Sequence, residues 1–432
     1  MMTYDVLVAG GGIAGCVAAK TACDAGKNVA MIFSNGGASE LSSGVLDVAG
    51  VVPGVTPKLC QTYIQGAELL AQCDPAHPYK LCLGSLKQGI EAACELAEKG
   101  GYPLYGFDGR NVWLPNIMGT FSVAAFVPEA LRAAVASEED ERVLVVGFKG
   151  NVAFNAGSCA VSYQKYQKKL GFHASYVSTD LELDDLGDRR KLSDGELADY
   201  FDTDAGLHEL SEKLASFCKN NRCHFDKILL PPVLGYIRTS KILEELSRVC
   251  GCRVGEVLTN CNSVVGYRMT RALYRGLEVS GVTLIRGAVV DSFTASDAEV
   301  KVSCTLGLTD QYHPGKKKEY SASALVLATG GFLGGGLEAR HTSVWIKLLE
   351  EELGKVHAEQ LNRNAVSSSG QPVLRMGAAV NSDLTAKNES GCGRVFVCGE
   401  LLAGFNSANE RSGAGVAAAT GFKAGAGAAA KV

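Results

Sequence analysis

The stretch Tyr4–Phe33, YDVLVAGGGIAGCVAAKTACDAGKNVAMIF, decides the fold of this chain. Its apolar ends and glycine-rich centre predict a strand, a helix and a second strand, over Tyr4–Gly10, Gly12–Gly26 and Asn28–Phe33. Gly10, Gly12 and Gly15 have the G-x-G-x-x-G spacing, which permits a tight turn, the approach of a phosphate and close packing of the helix. A strand–helix–strand unit of this kind predicts a parallel sheet with an anion held at the helix N-terminus.

Two later segments predict the same kind of site. The strand ALVLATGG ends in Ala328, Thr329 and Gly330, and VFVCGELLAG places Gly399 and Glu400 after another strand. Both segments resemble cofactor-side strands of flavoproteins that have two dinucleotide-binding domains. The predicted fold class is therefore α/β, a Rossmann-like flavoprotein fold of this type with an inserted α/β domain.

Two further stretches extend the predicted flavin site. The segment SGAG opens a C-terminal helix, whose positive N-terminus would stabilise the negative charge of a reduced flavin. The loop SELSSGVLDVAG follows the second strand and is expected to bring small residues to the flavin ring. These stretches and the start of the first helix add the following predicted cofactor-binding residues: Ile13, Ala14, Ser42, Ser43, Gly44, Ser412, Gly413, Ala414 and Gly415.

The second strand lacks the acidic residue that usually ends it. In VAMIFSNGGASE (Val29–Glu40) the strand runs into Ser34 and Asn35, where an Asp or Glu normally binds the ribose of a dinucleotide. That ribose belongs to the adenosine half of FAD, which FMN does not contain. The sequence therefore favours FMN over FAD, with Ser34 among the cofactor-binding residues. Ser34 or Asn35 could still bind a ribose, and Glu40 could fold back to do so.

Length and composition limit the remaining possibilities. The 432 residues suggest two or three domains, predicted as 1–73 and 263–432 for the flavin-binding domain and 74–262 for the insert. A net charge of −4 offers no basic face, so a nucleic-acid partner is not expected. No run of about 18 apolar residues occurs, so any membrane association is expected to go through a partner.

The fifteen cysteines are expected to be free thiols in a reducing cytoplasm. The first predicted strand begins almost at Met1, which leaves no room for a signal peptide. No CxxC pair occurs, Cys250 and Cys252 form a single CxC, and Cys392 and Cys398 lie too far apart for a zinc knuckle. No metal or iron–sulfur site is therefore predicted on this chain.

The predicted insert has its own α/β pattern. Buried strands are predicted over Arg142–Gly150, His173–Thr179 and Asp226–Gly235, with a helix over Thr239–Val249. The charged stretch Asp180–Asp204 is expected to be a solvated loop or short helix. After the insert, a helix is predicted over Met269–Ser280, followed by short strands.

The motifs LSSGVLDVAG, AHPYKLCLG, NSVVGYRMTRAL, ATGGFLGGGLEA and VFVCGELLAGFNSANERSGAGVAAA together resemble the B subunit of anaerobic glycerol-3-phosphate dehydrogenase. The resemblance covers essentially the whole chain. It implies a cytoplasmic, FMN-containing subunit of a quinone-linked complex that oxidises sn-glycerol 3-phosphate to dihydroxyacetone phosphate. It also implies two partners, an FAD-containing catalytic subunit and a membrane-bound iron–sulfur subunit, which would hold this chain at the inner face of the cell membrane.

Two residues are predicted to act in catalysis. His77 in HPY could remove the hydroxyl proton of the substrate, and Arg268 in GYRM could bind its phosphate through the planar guanidinium. Alternatively, this subunit only relays electrons and has no substrate base. Two other functions stay open: a stand-alone flavin-dependent reductase or dehydrogenase of the fumarate-reductase-like class acting on another small acid, and a non-catalytic scaffold with a vestigial flavin site.

Overall fold

The computed structural model describes residues 2–53, 59–186, 191–221, 224–259, 263–307, 315–364, 370–387 and 393–432. Asn262, at the predicted domain boundary, and Cys392 lie outside these ranges. The strands are β1 Met2–Ala9, β2 Val29–Phe33, β3 Leu104–Gly106, β4 Val112–Pro115, β5 Phe121–Ala124, β6 Phe126–Pro128, β7 Arg142–Phe148, β8 Ser175–Leu181, β9 Lys227–Leu230, β10 Arg253–Glu256, β11 Thr283–Arg286, β12 Val289–Ala295, β13 Val300–Leu306, β14 Lys316–Leu327, β15 Leu337–Arg340, β16 Ser343–Ile346, β17 Glu351–Lys355 and β18 Val395–Val397.

The helices that the structure describes lie mostly before residue 280. They are α1 Ile13–Asp24, α2 Gly37–Glu40, α3 Tyr63–Cys73, α4 Tyr79–Cys82, α5 Leu86–Lys99, α6 Glu129–Arg132, α7 Ala156–Leu170, α8 Asp194–Phe201, α9 Asp204–Asn220, α10 Thr239–Cys250, α11 Val264–Val279, α12 Ser407–Glu410 and α13 Gly413–Ala429. By its internal contacts the chain divides into two units, 1–40 with 46–103 and 269–432, and 41–45 with 104–268.

A seven-stranded sheet organises the first unit, in the order β11-β2-β1-β14-β13-β12, with β18 paired to the end of β14. Strands β11, β2, β1, β14 and β18 are parallel to their neighbours in this set, whereas β13 pairs in an antiparallel manner with β12 and β14. The predicted parallel sheet is therefore present. Because these parallel strands run in one direction, the loops after β1, β2, β14 and β18 leave the sheet at the same edge.

Small residues bring three helices of the first unit into close contact. α13 packs against both α1 and α5. A Cβ atom added at Gly421 or Gly425 of α13 would collide with the carbonyl oxygen of Ala14 or Ala18 in α1. One added at Gly89 of α5 would collide with the backbone of α13 at Ala418. The Gly/Ala-rich sequence of α13 therefore reflects packing between helix backbones.

The second unit is built on a four-stranded parallel sheet in the order β10-β9-β7-β8. Its core includes Leu144, Phe201, Ile228 and Leu246, all fully buried. The main segment of this α/β unit starts at Leu104, whereas the predicted insert started at residue 74. The intervening helix α5 joins the first unit because its apolar face, including Leu96, packs on α1 and α13.

Local predictions differ from the structure in three places. β8 was expected to be buried, yet only Leu181 is buried, because the strand lies at the edge of its sheet. The charged stretch after it contains the short helix α8, one of the two predicted forms, but this helix is not solvated on all sides, since it buries Leu197 and Phe201. α11 begins at Val264, five residues before the predicted start, because its first turn is already apolar and buried.

The contact between α1 and α13 gives a testable prediction. Gly425→Val should lower the free energy of unfolding by about 1–3 kcal/mol, because the added side chain forces the two backbones apart. Chemical denaturation followed by circular dichroism measures the effect. Gly84→Ala is the control, since a Cβ atom there meets no atom within 4 Å. Equal stability of the two variants would contradict backbone packing at Gly425.

Candidate cofactor site

The turn from β1 to α1 has the tight geometry that its glycines predict. Gly10 adopts a φ of 122° and donates its N–H to the carbonyl oxygen of Ile32 at 2.9 Å. A Cβ atom at Gly10 would collide with the carbonyl group of Ala328, and one at Gly15 would collide with that of Gly10. The first and third glycines are therefore required by the packing of this turn, independently of any ligand.

The second glycine borders a cradle at the N-terminus of α1. Ile13 donates its N–H to Ser39 Oγ at 3.1 Å, and a Cβ atom at Gly12 would lie 3.2 Å from the same hydroxyl oxygen. Ile13 and Ala14 begin the helix, where the first N–H groups have no intrahelical acceptor and the dipole favours an anion. A helix N-terminus, a glycine and a hydroxyl group fit the phosphate of a flavin nucleotide.

Ser39 is a site residue that the sequence analysis did not single out. It lies on the short helix α2, which follows the second strand and brings the hydroxyl group back to the start of α1. The signal was present in the sequence, since Ser39 opens the quoted loop SELSSGVLDVAG. The prediction selected Ser42, Ser43 and Gly44 of the same loop instead.

The end of β2 carries no acidic side chain, as the sequence indicated. Ser34 and Asn35 are exposed there. However, Glu40 folds back, and its Oε2 accepts a hydrogen bond from the N–H of Gly36 at 2.8 Å. In the turn between β1 and α1, the carbonyl oxygen of Gly11 accepts a hydrogen bond from the Tyr274 hydroxyl group at 2.9 Å. The carboxylate of Glu40 is therefore bonded to the backbone of Gly36, two residues after Ser34, where the usual ribose-binding acid would stand.

The loops after β14 and β18 leave the same edge of the sheet. Gly330 adopts a φ of 73°. Gly331 lies near Glu400, because a Cβ atom added at Gly331 would be 3.4 Å from the Glu400 carbonyl oxygen. Gly399 donates its N–H to Thr420 Oγ1 at 2.9 Å, and Glu400 Oε1 accepts from Ser407 Oγ at 2.6 Å. The structure thus brings predicted residues after β1, β14 and β18 together, since Gly10 contacts Ala328 and Thr329, and Gly399 contacts Ala14.

Asp47 holds the N-terminus of α13. Its Oδ1 accepts the N–H of Ala414, and its carbonyl oxygen accepts the N–H of Gly415, both at 2.9 Å. Burial raises the pKa of the Asp47 carboxyl, although the N–H of Ala414 opposes this effect. Two of the N–H groups expected to face a flavin are therefore bonded to Asp47, a residue that sequence reasoning missed.

The predicted residues Ser42, Ser43 and Gly44 belong to the second unit. Gly44 adopts a φ of 70° and donates its N–H to Ser42 Oγ at 3.2 Å. The three residues form a local turn, and their approach to a flavin ring stays a prediction.

His77 is enclosed in a hydrogen-bonded network in the first unit. Its side chain is 1% exposed. Nδ1 accepts the N–H of Tyr79 at 3.0 Å, so the proton of the neutral ring resides on Nε2, which donates to Glu410 Oε2 at 3.0 Å. Glu410 also accepts from Asn406 N and Ser412 Oγ. Both ring nitrogens of His77 are thus engaged, and its role as a substrate base stays a prediction.

Arg268 forms a buried ion pair in the second unit. NH1 and NH2 donate to the two carboxylate oxygens of Glu256 at 2.6 and 3.0 Å, and Nε donates to the carbonyl oxygen of Gly235 at 2.6 Å. Glu256 is fully buried and also accepts the N–H of Leu234. This arrangement uses the guanidinium fork that was expected to bind phosphate, so the catalytic role of Arg268 stays a prediction.

Two features are absent from the part of the chain that the structure describes. No group of three or more His, Cys, Asp or Glu side chains there is arranged to bind a metal ion. Within the same residues, no helix combines the length and the apolar character needed to cross a membrane.

Comparison with known proteins agrees with the resemblance stated from the sequence. The B subunit of anaerobic glycerol-3-phosphate dehydrogenase from Vibrio cholerae serotype O1 (strain ATCC 39315 / El Tor Inaba N16961) is 24% identical over 98% of this chain and 96% of its own. A probable B subunit of the same enzyme from Halobacterium salinarum (strain ATCC 29341 / DSM 671 / R1) is 25% identical over the same shares. Among solved structures, the FrdA chain of E. coli quinol fumarate reductase matches with a TM-score of 0.42 and 11% identity, over all of this chain and 71% of its own.

A family model extends over nearly the whole chain. The model described as FAD binding domain matches residues 5–416. This match spans the strand–helix–strand unit, the insert and the loops after β14 and β18, and it confirms the predicted α/β flavoprotein fold and a flavin as the cofactor. The chain belongs to the FAD binding domain family.

Proposed function

We propose that this chain is the B subunit, a flavoprotein, of an anaerobic, quinone-linked glycerol-3-phosphate dehydrogenase. The observation that carries the proposal is the agreement with relatives of that name over 96% or more of both chains. The complex would oxidise sn-glycerol 3-phosphate to dihydroxyacetone phosphate. This chain would either take electrons from the substrate or relay them.

The proposal includes two partner subunits. One contains FAD and oxidises the substrate, and the other carries iron–sulfur clusters and attaches the complex to the membrane. The names of the relatives, which are those of one subunit among several, support an assembly of this kind. In this arrangement the chain lies in the cytoplasm, at the inner face of the cell membrane, and reaches the membrane only through its partners.

The residues at the sheet edge have distinct tasks in this proposal. A bound flavin supplies a two-electron acceptor that can pass electrons on singly. The N–H group of Ala14 and the Ser39 hydroxyl group, which accepts the N–H of Ile13, would hold its phosphate, because they lie at the positive end of a helix. Asp47 holds α13 in place, and the Glu400–Ser407 hydrogen bond orders the loop after β18.

Of the two possible roles, the contacts of the predicted catalytic residues support electron relay. A substrate base must reach the hydroxyl proton, and a phosphate-binding arginine must offer free donors. His77 and Arg268 are 1% and 5% exposed, and each is bonded to a buried carboxylate. Recruiting Arg268 to the substrate would leave the buried Glu256 carboxylate without its charged partner, which costs about 3–5 kcal/mol. Recruiting His77 would remove one of the hydrogen bonds that the buried Glu410 carboxylate accepts.

We further propose that the flavin of this chain is FMN. The support is the end of β2, where exposed Ser34 and Asn35 replace the acid that binds the adenosine ribose. The description of the family points toward FAD, and the position of the Glu40 carboxylate makes that alternative concrete. A substitution of Glu40 can therefore distinguish FMN from FAD as the cofactor.

The relay role predicts the behaviour of the isolated subunit. Loaded with flavin and mixed anaerobically with sn-glycerol 3-phosphate, it should keep its oxidised absorption spectrum, whereas dithionite should bleach it. Addition of the FAD-containing subunit should make the reduction depend on substrate. Rapid bleaching of the isolated chain by substrate would contradict the relay role, and failure of both subunits together to react would contradict the proposed function.

The ion pair of Arg268 predicts a structural defect. Arg268→Ala should lower the free energy of unfolding by about 3–5 kcal/mol, because it leaves the buried Glu256 carboxylate uncompensated. Denaturation curves measure the effect. Arg248→Ala, which breaks an exposed pair with Glu245 in the same unit, should cause no measurable change. A variant of Arg268 that keeps its stability and loses only substrate-dependent reduction would instead support the predicted phosphate-binding role.

The choice of cofactor predicts the effect of Glu40→Gln. If FMN is the cofactor, the ratio of the dissociation constants for FAD and FMN should be the same in this variant and in the unmodified chain. Quenching of flavin fluorescence on binding measures both constants. Glu91→Gln on the exposed face of α5 serves as the control. A loss of about tenfold or more in FAD affinity alone would identify Glu40 as a ribose anchor and FAD as the cofactor.

A further inference from the structure

Three cysteines of the second unit lie at neighbouring ends of two helices. Cys218 lies in the last turn of α9, Cys250 is the last residue of α10, and Cys252 follows shortly before β10. The connections β8–α9–β9 and β9–α10–β10 move in the same direction across the sheet, so right-handed crossovers place both helices on one face. α9 and α10 pack against each other, and their C-terminal ends point the same way.

The three thiols border a common cavity. Cys218 lies close enough to Cys250 and to Cys252 for the thiols to affect one another's pKa. The three cysteines line a cavity of about 290 Å³, whose wall also contains Lys219 and His224. All three are partly exposed, so a small reagent can reach them. The CxC pair is thus joined by a third thiol that is distant in sequence.

We propose that these residues form an oxidisable thiol site, in which Cys218 and Cys250 become a disulfide by reaction with a low-molecular-weight disulfide. In the first step the sulfur of Cys218 attacks the reagent, which breaks its S–S bond and releases one thiol. In the second step the sulfur of Cys250 attacks the mixed disulfide on Cys218 and displaces the other thiol. The protein loses two electrons and two protons, and the reagent is reduced to two thiols.

The surroundings make this reaction slow at neutral pH. Burial raises the pKa of all three thiols, that of Cys252 to about 11. Asp226 raises the pKa of Cys252 further and Arg253 lowers it; Lys219 and His224 face the cavity. Because the thiolate is the attacking species, the rate should rise about tenfold per pH unit below the thiol pKa. Low reactivity at neutral pH makes the site responsive to strong or prolonged oxidation only.

The disulfide would connect the ends of α9 and α10 across a chain segment of about thirty residues. A cross-link over a loop of this length restricts the unfolded chain and so stabilises the folded unit. The segment contains strand β9 and the loop with Gly235, whose carbonyl oxygen accepts a hydrogen bond from Arg268. Oxidation would therefore make the second unit more resistant to unfolding without involving the cofactor site residues of the first unit.

The test treats the full-length chain with oxidised glutathione at pH 7 and pH 9 and maps its thiols by mass spectrometry. A peptide cross-linked through Cys218 and Cys250 should form, at least tenfold faster at pH 9, and dithiothreitol should reverse it. Exposed Cys73 provides an internal measure of reagent activity. The oxidised protein should unfold at a higher denaturant concentration than the reduced protein.

Single variants identify the pair. Cys218→Ser and Cys250→Ser should each abolish the cross-link and leave a glutathione adduct on the remaining partner. Cys252→Ser, and Cys159→Ser elsewhere in the unit, should retain the cross-link. Circular dichroism of each variant verifies that it folds. A cross-link to any other cysteine, or free Cys218 and Cys250 thiols after prolonged treatment at pH 9 that modifies Cys73 completely, would overturn the proposal.

Discussion

The backbone contact between Gly10 and Ala328 is the constraint on which the first unit depends. The turn after β1 presses against the turn after β14 so closely that a single Cβ atom at Gly10 would collide with the Ala328 carbonyl group. Ala328 in turn donates its N–H to the Ala9 carbonyl oxygen at 2.8 Å. This contact extends the pairing of β1 and β14 to their last residues. It therefore determines where the loops that carry the cofactor residues meet.

Glycine residues also let the helices of the first unit pack with their backbones in close contact. Gly15 in α1 and Gly421 and Gly425 in α13 let backbones approach each other where larger side chains would hold them apart. The N-termini of α1 and α13 are thereby held at the sheet edge, where each offers N–H groups and a positive dipole. Ser39 interacts with the first helix and Asp47 with the second. Both residues come from the segment after β2, which thus serves both helix ends.

Buried carboxylates explain why residues suited to catalysis are used for folding. A charge removed from water requires a partner with good geometry, and the bidentate pair of Arg268 and Glu256 meets that requirement inside the second unit. In the first unit the neutral ring of His77 donates a hydrogen bond to the buried Glu410 carboxylate, which also accepts hydrogen bonds from Ser412 and Asn406. Arginine and histidine are suited to catalysis because they bind anions and transfer protons. The same properties make them suitable partners for a buried carboxylate.

The sequence by itself determined the parallel sheet, the tight glycine-rich turn after β1 and the flavin fold, because these depend on local periodicity and on glycine spacing within short segments. It also indicated the missing acid at Ser34. Only the tertiary structure decided which distant side chains meet: Ser39 at the start of α1, Asp47 at the start of α13, and Cys218 beside the CxC pair. These contacts join segments whose partners are chosen by the packing of helices and sheets, and no local pattern contains that information. The same reason placed residues 74–103 with the first unit, since the burial of α5 depends on the helices that cover it.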